Sequence, residues 1–140
     1  GRYYATLSDI DGEVCSATMV NMDNGHTLML RRNKRSGEHS LTLVQSAAGE
    51  VAAGSPLALQ IGAGEKGEFA EPLQATALGQ TNGLQFAMAS ISFPQAQALQ
   101  SAKVVTASVG GREVLRMAPP NLARVQLNLE MARCGLNRPK

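Results

Sequence analysis

Few side chains in this chain are suited to covalent chemistry. The 140 residues include two cysteines, Cys15 and Cys134, and two histidines, His26 and His39, each of which begins a predicted strand beside a turn and is therefore expected at the surface. A cysteine thiolate with a histidine partner distant in sequence can act as a nucleophile, so a small hydrolase that uses Cys15, or a carboxylate pair, is one hypothesis. The sequence contains no nucleophile elbow, no His-Glu-x-x-His and no CxxC motif. We therefore predict that the protein is not an enzyme.

The two cysteines allow two interpretations. In a secreted protein an even count favours pairing, and a bridge from Cys15 to Cys134 would close a loop of almost the whole chain. In a cytosolic protein they would be two separate buried thiols. We favour the bridge, which requires the end of the chain to return to the second predicted strand.

Acidic residues near the start of the chain suggest a metal loop at first sight. Asp9, Asp11 and Glu13 resemble the beginning of a calcium loop. Such a loop also needs further oxygen ligands and a distal bidentate glutamate, and these are missing at the required spacing. We predict a turn over residues 9–12, with no metal site and no cofactor.

One local excess of positive charge stands out against a net charge of only +2. It consists of Arg31, Arg32, Lys34 and Arg35 in a predicted hairpin end. No aromatic residue interleaves these cations for base stacking, so we predict no nucleic-acid binding. The cluster is either a solvated hairpin end or a contact for an anionic partner.

Composition indicates a single β-rich domain over residues 1–140. Hydrophobic residues make up 44% and charged residues 17% of the chain, which favours a packed core over disorder. Tryptophan is absent and aromatic residues reach only 4%, so the core must consist of Leu, Val, Met and Ala. No apolar run is long enough for a membrane span.

Short alternating segments separated by turn residues predict the fold. The predicted strands are residues 2–8, 14–22, 26–32, 39–45, 56–61, 69–79, 84–90, 103–109 and 113–117. Asn24-Gly25 predicts a type I′ hairpin turn, and Gly110-Gly111 predicts a second two-residue hairpin. The pattern indicates an antiparallel β-sandwich or flattened barrel of about nine strands, with two short helices in the C-terminal third.

The first predicted helix follows Ser92 as N-cap, with Pro94 in its first turn. The second begins at Asn121 as a cap and ends at Gly135, although alternating apolar residues in 125–131 also permit a strand. We favour a helix because most of its residues are good helix formers. Leu122, Val125, Leu129 and Ala132 then form one apolar stripe. With further apolar residues on the opposite side, we expect this helix to be buried on both faces.

The order of these features resembles the invasion-associated locus B family of alphaproteobacterial periplasmic proteins. The matching stretches are residues 27–32 (TLMLRR), 52–62 (AAGSPLALQIG) and 86–109, together with the final helix that ends in Cys134. The early Trp-x-x-x-Cys and the paired mid-chain cysteines of that family are absent from this sequence.

This resemblance implies an exported, non-catalytic protein of the cell envelope with no known cofactor. The expected function is a periplasmic or secreted binding or accessory protein, from which the signal peptide has been removed. Its partner is expected to be another protein or an envelope component. A periplasmic inhibitor of a lytic enzyme is an alternative, since such inhibitors are small β-rich proteins with a disulfide. Export would also favour the bridge between Cys15 and Cys134.

Overall fold

The computed structural model describes residues 2–10 and 12–139, with their side chains except those of Asp9, Ile10 and Lys66. Within these ranges nine antiparallel strands form one curled, half-barrel sheet. The strands are β1 (Tyr3–Ile10), β2 (Val14–Asn21), β3 (Thr27–Asn33), β4 (His39–Ser46), β5 (Pro56–Ala63), β6 (Leu73–Thr81), β7 (Leu84–Ile91), β8 (Val105–Val109) and β9 (Arg112–Met117). The helices are α1 (Phe93–Ser101) and α2 (Asn121–Arg133), and a 3-10 turn occupies Gly64–Lys66. The predicted mainly β class with helices late in the chain is confirmed.

The strands follow the order β1-β2-β3-β4-β7-β6-β5-β8-β9 across the sheet. Strands β1 to β4 are a meander of consecutive hairpins. Strands β5, β6 and β7 are also consecutive, and β8 returns to lie beside β5, which is the strand order of a Greek key. Helix α1 forms the long connection from β7 to β8. The sheet curls until β9 contacts β4. Of the two predicted architectures, a β-sandwich or a flattened barrel, this continuous curled sheet corresponds to the barrel.

The core fills the concave face of this sheet. Buried small side chains are concentrated on β6 and β7, and the strands to either side carry most of the large ones. The fully buried large residues include Met19, Leu30, Leu41, Leu43, Leu59, Ile61, Leu115 and Met117, and the buried alanines include Ala75, Ala77, Ala87, Ala89 and Ala107. Side chains converge on the concave face of a curled sheet, so alanines in its middle relieve crowding.

The hairpin between β2 and β3 differs from the prediction. Asn82 is the only non-glycine residue in the described part of the chain with a positive φ, so Asn24-Gly25 is not a type I′ turn. The loop is longer than two residues and closes through a hydrogen bond from the Gly25 amide to the Asn21 carbonyl, at 2.8 Å. The Asn24 side chain accepts a hydrogen bond from the His26 amide and stabilises this wider loop.

Strand ends also differ in places. Strand β1 continues through Asp9 and Ile10, where a turn was predicted, because these residues pair with the start of β2. Strand β6 begins at Leu73, four residues after the predicted start at residue 69. The Gly110-Gly111 hairpin is confirmed, with φ values of 57° and 81°.

Helix α1 begins as its capping residues predict. The Ser92 hydroxyl accepts a hydrogen bond from the Gln95 amide at 3.1 Å, and the Gln95 side chain accepts one from the Ser92 amide at 2.8 Å. This reciprocal pair is a capping box. Ala96 and Leu99 face the core, so the helix is held on the sheet by a narrow apolar face.

Helix α2 confirms the helical interpretation of the final segment but starts differently. Pro120 is the N-cap and Asn121 is the first helical residue, so the Asn121 side chain caps no backbone amide. It accepts a hydrogen bond from the Arg124 guanidinium at 3.1 Å instead. Cys134 is the C-cap, and Gly135 follows with a φ of 69°. No helix in the described part of the chain is long and apolar enough to cross a bilayer.

Only one face of α2 is buried, which corrects the expectation of burial on both. The helix packs on β1 and β2 through Ala123, Leu127 and Met131. Cys134 lies three residues after Met131 and therefore on the same face of the helix. A disulfide from Cys134 to the sheet requires this face to point towards the core. The predicted stripe, Leu122, Val125, Leu129 and Ala132, is therefore exposed.

The disulfide between Cys15 and Cys134 attaches the end of α2 to the start of β2, as the sequence predicts. Its two Cα atoms are 5.3 Å apart, inside the usual range for a disulfide. At the other end of the helix, the Tyr3 hydroxyl accepts a hydrogen bond from the Ala118 amide at 3.1 Å. Both ends of α2 are thus fixed to the first two strands.

We expect reduction of the disulfide to lower the free energy of unfolding by about 4 to 5 kcal/mol, because the loop-entropy model gives this value for so long a loop. Urea denaturation with and without reductant measures the difference. The Cys15→Ala/Cys134→Ala double variant is the matched control, since it lacks the bond without leaving an unpaired buried thiol. Alkylation of both cysteines in denatured, unreduced protein, detected by intact mass spectrometry, would contradict the bridge.

Candidate functional site

The C-terminal end of α2 turns sharply beside the disulfide. The Gly135 amide donates a hydrogen bond to the Ala132 carbonyl at 3.1 Å, and the Leu136 amide donates one to the Met131 carbonyl at 2.9 Å. This pair of bonds is a Schellman motif, in which glycine supplies the left-handed conformation. Leu136 is buried, so the turn is fixed on the core.

A basic cavity of about 310 Å³ lies at this turn. Two of its cations come from β3 and the residue after it, and two come from the end of α2 and the segment that follows. It is lined by Arg32, Lys34, Ala132, Arg133, Cys134, Gly135 and Arg138. We call this set the basic cavity.

One acidic side chain of α2 lies beside the cationic side chains of the basic cavity. The buried carboxylate of Glu130 accepts a hydrogen bond from Gln126 and lies 3.5 Å from Arg133. The carbonyl end of a helix contributes about half a negative charge, which the guanidinium groups of Arg32, Arg133 and Arg138 exceed. The arginine side chains therefore make this cavity suited to an anion.

The four predicted contact residues do not form a single cluster. Arg32 lies opposite Cys15 and His39 in the sheet and faces the concave side, whereas Arg31 lies opposite serines on the convex side. Arg35 forms an ion pair with Glu13, with 3.5 Å between Nη2 and Oε1. Of the four, only Arg32 and Lys34 line the basic cavity.

Sequence reasoning missed the other half of this cavity. Arg133 and Arg138 lie a hundred residues from the β3 cluster, and neither belongs to a charge run. The predicted bridge contained the necessary information, because Arg32 pairs with Cys15 in the sheet and Arg133 adjoins Cys134. A bond between the two cysteines brings both arginines to the same place.

The histidines are buried, which contradicts the predicted surface positions. His26, just before β3, and His39, the first residue of β4, are 8% and 6% exposed. Burial lowers the pKa of His26, whose Nε2 lies 3.0 Å from the Ser46 hydroxyl. Burial also lowers the pKa of His39, and the positive charge of Arg32 acts in the same direction. Both side chains are consequently neutral at pH 7.

The remaining candidates for catalysis are occupied in other ways. The sulfur of Cys15 is bonded to Cys134 and has no ionisable thiol. Hydrogen bonds from Arg2 lower the pKa of Asp23, and the hydrogen-bonded Arg116 lowers that of Glu113.

The calcium-loop candidates do not assemble in the part of the chain that the structure describes. Asp9 belongs to β1, Glu13 pairs with Arg35, and Asp11 lies outside the described residues. Within the described ranges no group of three His, Cys, Asp or Glu residues is arranged to hold a metal ion.

Comparisons with protein-family models, with curated proteins and with solved structures find no match to this chain. The resemblance to the invasion-associated locus B family therefore stays a prediction from the sequence.

Acid should destabilise this protein through its two buried histidines. Each has a lower pKa in the folded protein than the ordinary value of 6.5, so the unfolded chain binds more protons between those two values. The free energy of unfolding should be level above pH 7 and fall as the pH drops below about 6.5. Urea denaturation between pH 8 and pH 5 measures this slope. We expect His26→Gln/His39→Gln to reduce it, and an unchanged slope would contradict the assignment.

Proposed function

We propose that this protein is a non-enzymatic binding or accessory protein of the periplasm or cell envelope, and that it recognises an anionic group of its partner through the basic cavity. The observation that carries the proposal is the convergence of Arg32, Lys34, Arg133 and Arg138 on one cavity from separate segments. Guanidinium groups bind carboxylates and phosphates through paired, charge-assisted hydrogen bonds. The partner is therefore expected to present carboxylates or phosphates.

The way the cavity is held supports binding. Like charges brought together destabilise a folded protein through mutual repulsion, and an anion that binds only the folded state offsets this cost. Here the disulfide fixes Arg32 and Arg133 near each other whether or not an anion is present. A preorganised site of this kind loses little conformational entropy on binding.

The disulfide also supports the proposed compartment. Bonds of this kind persist in oxidising environments such as the bacterial periplasm and are rare in the cytosol. The bond between Cys15 and Cys134 has both sulfur atoms buried in the core cluster, where it is suited to a structural role. Export agrees with the family resemblance stated above.

The state of the ionisable groups supports a non-catalytic function. General acid–base catalysis works best when a group has a pKa near the working pH and reaches the reacting atoms. His26 and His39 are buried, and burial moves the pKa of each below its ordinary value. The basic cavity, by contrast, is lined by arginine and lysine side chains, which suit it to anion binding.

The proposal predicts that small anionic probes bind at the basic cavity. A triglutamate peptide and inorganic tripolyphosphate should each shift the amide NMR signals of Ala132 and Gly135 as they are titrated. Arg133→Gln/Arg138→Gln should weaken this binding at least tenfold, because a hydrogen bond to a charged group contributes about 1.5 to 3 kcal/mol. Tighter binding of triglutamate would indicate a partner that presents carboxylates, and tighter binding of tripolyphosphate would indicate one that presents phosphates.

The matched control is Lys103→Gln/Arg112→Gln, which makes the same change in net charge at exposed residues outside the cavity. It should leave the affinities within about twofold of the original. Equal weakening by both double variants would show a general charge effect and contradict the site. Tighter binding of a short single-stranded oligonucleotide than of either probe would contradict the expected absence of nucleic-acid binding.

A further inference from the structure

The outer face of α2 carries a row of exposed aliphatic side chains. Leu122 is 84% exposed, Val125 is 55% exposed and Leu129 is 52% exposed. Ala132 extends the row, so the spacing along the helix is three, four and three residues. This is the spacing with which one helix packs against another along a coiled-coil seam. We call these four residues the α2 stripe.

The other exposed large apolar residues that the structure describes do not form such a row. Tyr4, Met22, Leu78 and Met88 are 38% to 50% exposed and lie on or beside four different strands. Scattered exposed residues of this kind are normal on protein surfaces, whereas a continuous row marks an interaction site.

The surroundings of the α2 stripe show how a partner would fit. Ala132 lines the basic cavity as well, so the stripe leads directly into it. Asn128 lines a cleft of about 570 Å³ between α1 and α2, whose other polar side chains include Gln97 and Gln100. The stripe thus has a polar, uncharged cleft on one side and a cationic cavity at its end.

The charges of α2 are one-sided. Its basic residues are Arg124 and Arg133, and the Arg133 side chain is 67% exposed. Its single acidic residue, Glu130, is buried with a side-chain exposure of 6%. Arg124 is half-buried, so Arg133 is the exposed basic group of the helix. Beside the apolar row it complements apolar and acidic groups on a partner.

We infer that α2 is the docking site for an acidic amphipathic helix of another protein. The apolar residues of that helix pack along the α2 stripe, and its flanking carboxylates lie against Arg124, Arg133 and the basic cavity. This inference rests on the proposed function, because it identifies the anion as carboxylates of a helical protein segment. A helix laid in a groove beside another helix is a common way to recognise a peptide.

A second copy of this chain fits the same surface poorly. Parallel pairing of two α2 helices would place Arg124 beside Arg124 and Arg133 beside Arg133, and antiparallel pairing would bring Arg124 towards Arg133. The basic cavities of the two copies would also repel each other.

A lipid surface also fits poorly. Helices that bind in a membrane interface have a broad apolar face, usually with aromatic residues. The α2 stripe is one row wide, has no aromatic residue and is flanked by Gln126 and Asn128, which a bilayer would dehydrate. Anionic vesicles are therefore a test of the inference and not the expected ligand.

The probe is a fluorescent peptide of three heptads with Leu at the a and d positions and Glu at e and g, which keep it from pairing with itself. Fluorescence anisotropy should show saturable binding that weakens as salt is added. Leu122→Gln/Leu129→Gln should weaken this binding at least tenfold, as expected for central apolar anchors. The matched control, Met22→Gln/Leu78→Gln, changes two other exposed apolar residues, 50% and 48% exposed, and should have no effect. A peptide with Lys in place of Glu should not bind.

Separate results distinguish this inference from the proposed function. If the acidic peptide binds the leucine variant as tightly as the original protein, but triglutamate binding still depends on Arg133 and Arg138, the docking site is wrong and the anion site stands. If neither probe binds, both are wrong. Binding to phosphatidylglycerol vesicles that requires Leu122 and Leu129 would show that the α2 stripe binds a membrane surface and not a helix. Dimerisation that requires the same two leucines, measured by sedimentation, would show that the α2 stripe binds a second copy of this chain.

Discussion

The position of one covalent bond determines most of what is distinctive in this structure. The disulfide between Cys15 and Cys134 attaches the end of the last helix to the second strand of a curled sheet. Because Cys134 shares a helical stripe with Leu127 and Met131, the bond selects which face of α2 enters the core. It also brings together arginines that lie a hundred residues apart in the chain, and so creates the basic cavity. The same bond thus sets the packing, the exposed surface and the charge of this end of the molecule.

The α2 stripe is exposed because the disulfide directs the opposite face of the helix into the core. A helix with two apolar faces can bury only one of them when it lies over the open side of a half-barrel, and hydrophobic burial alone does not decide which. Leu122 and Leu129 are the larger side chains on the outer face, and their exposure has an unfavourable hydration free energy that a partner would relieve. The stripe and the basic cavity adjoin each other, so a single partner segment can contact both.

The sequence predicts the parts of this fold that depend on local patterns. Alternation identified the strands, Ser92 identified the start of α1, and Gly110-Gly111 identified a tight hairpin. Apart from the disulfide, the features that depend on distant contacts were wrong or missing. Burial of the two histidines, the wider loop at Asn24-Gly25 and the outward orientation of the α2 stripe all depend on neighbours that no local pattern specifies. The predicted cationic cluster was divided because Arg31 and Arg32, adjacent in a strand, point to opposite faces of the sheet.

The central claim is that α2 is fixed with one apolar face in the core and the other in solvent. Methyl NMR spectra recorded with a soluble gadolinium chelate test it directly, because the chelate broadens methyl signals according to their exposure. The methyl signals of Leu122, Val125 and Leu129 should broaden strongly, and those of Leu127 and Leu136 should be protected. Equal protection of both sets, or protection of the stripe with broadening of Leu127, would contradict this arrangement of the helix.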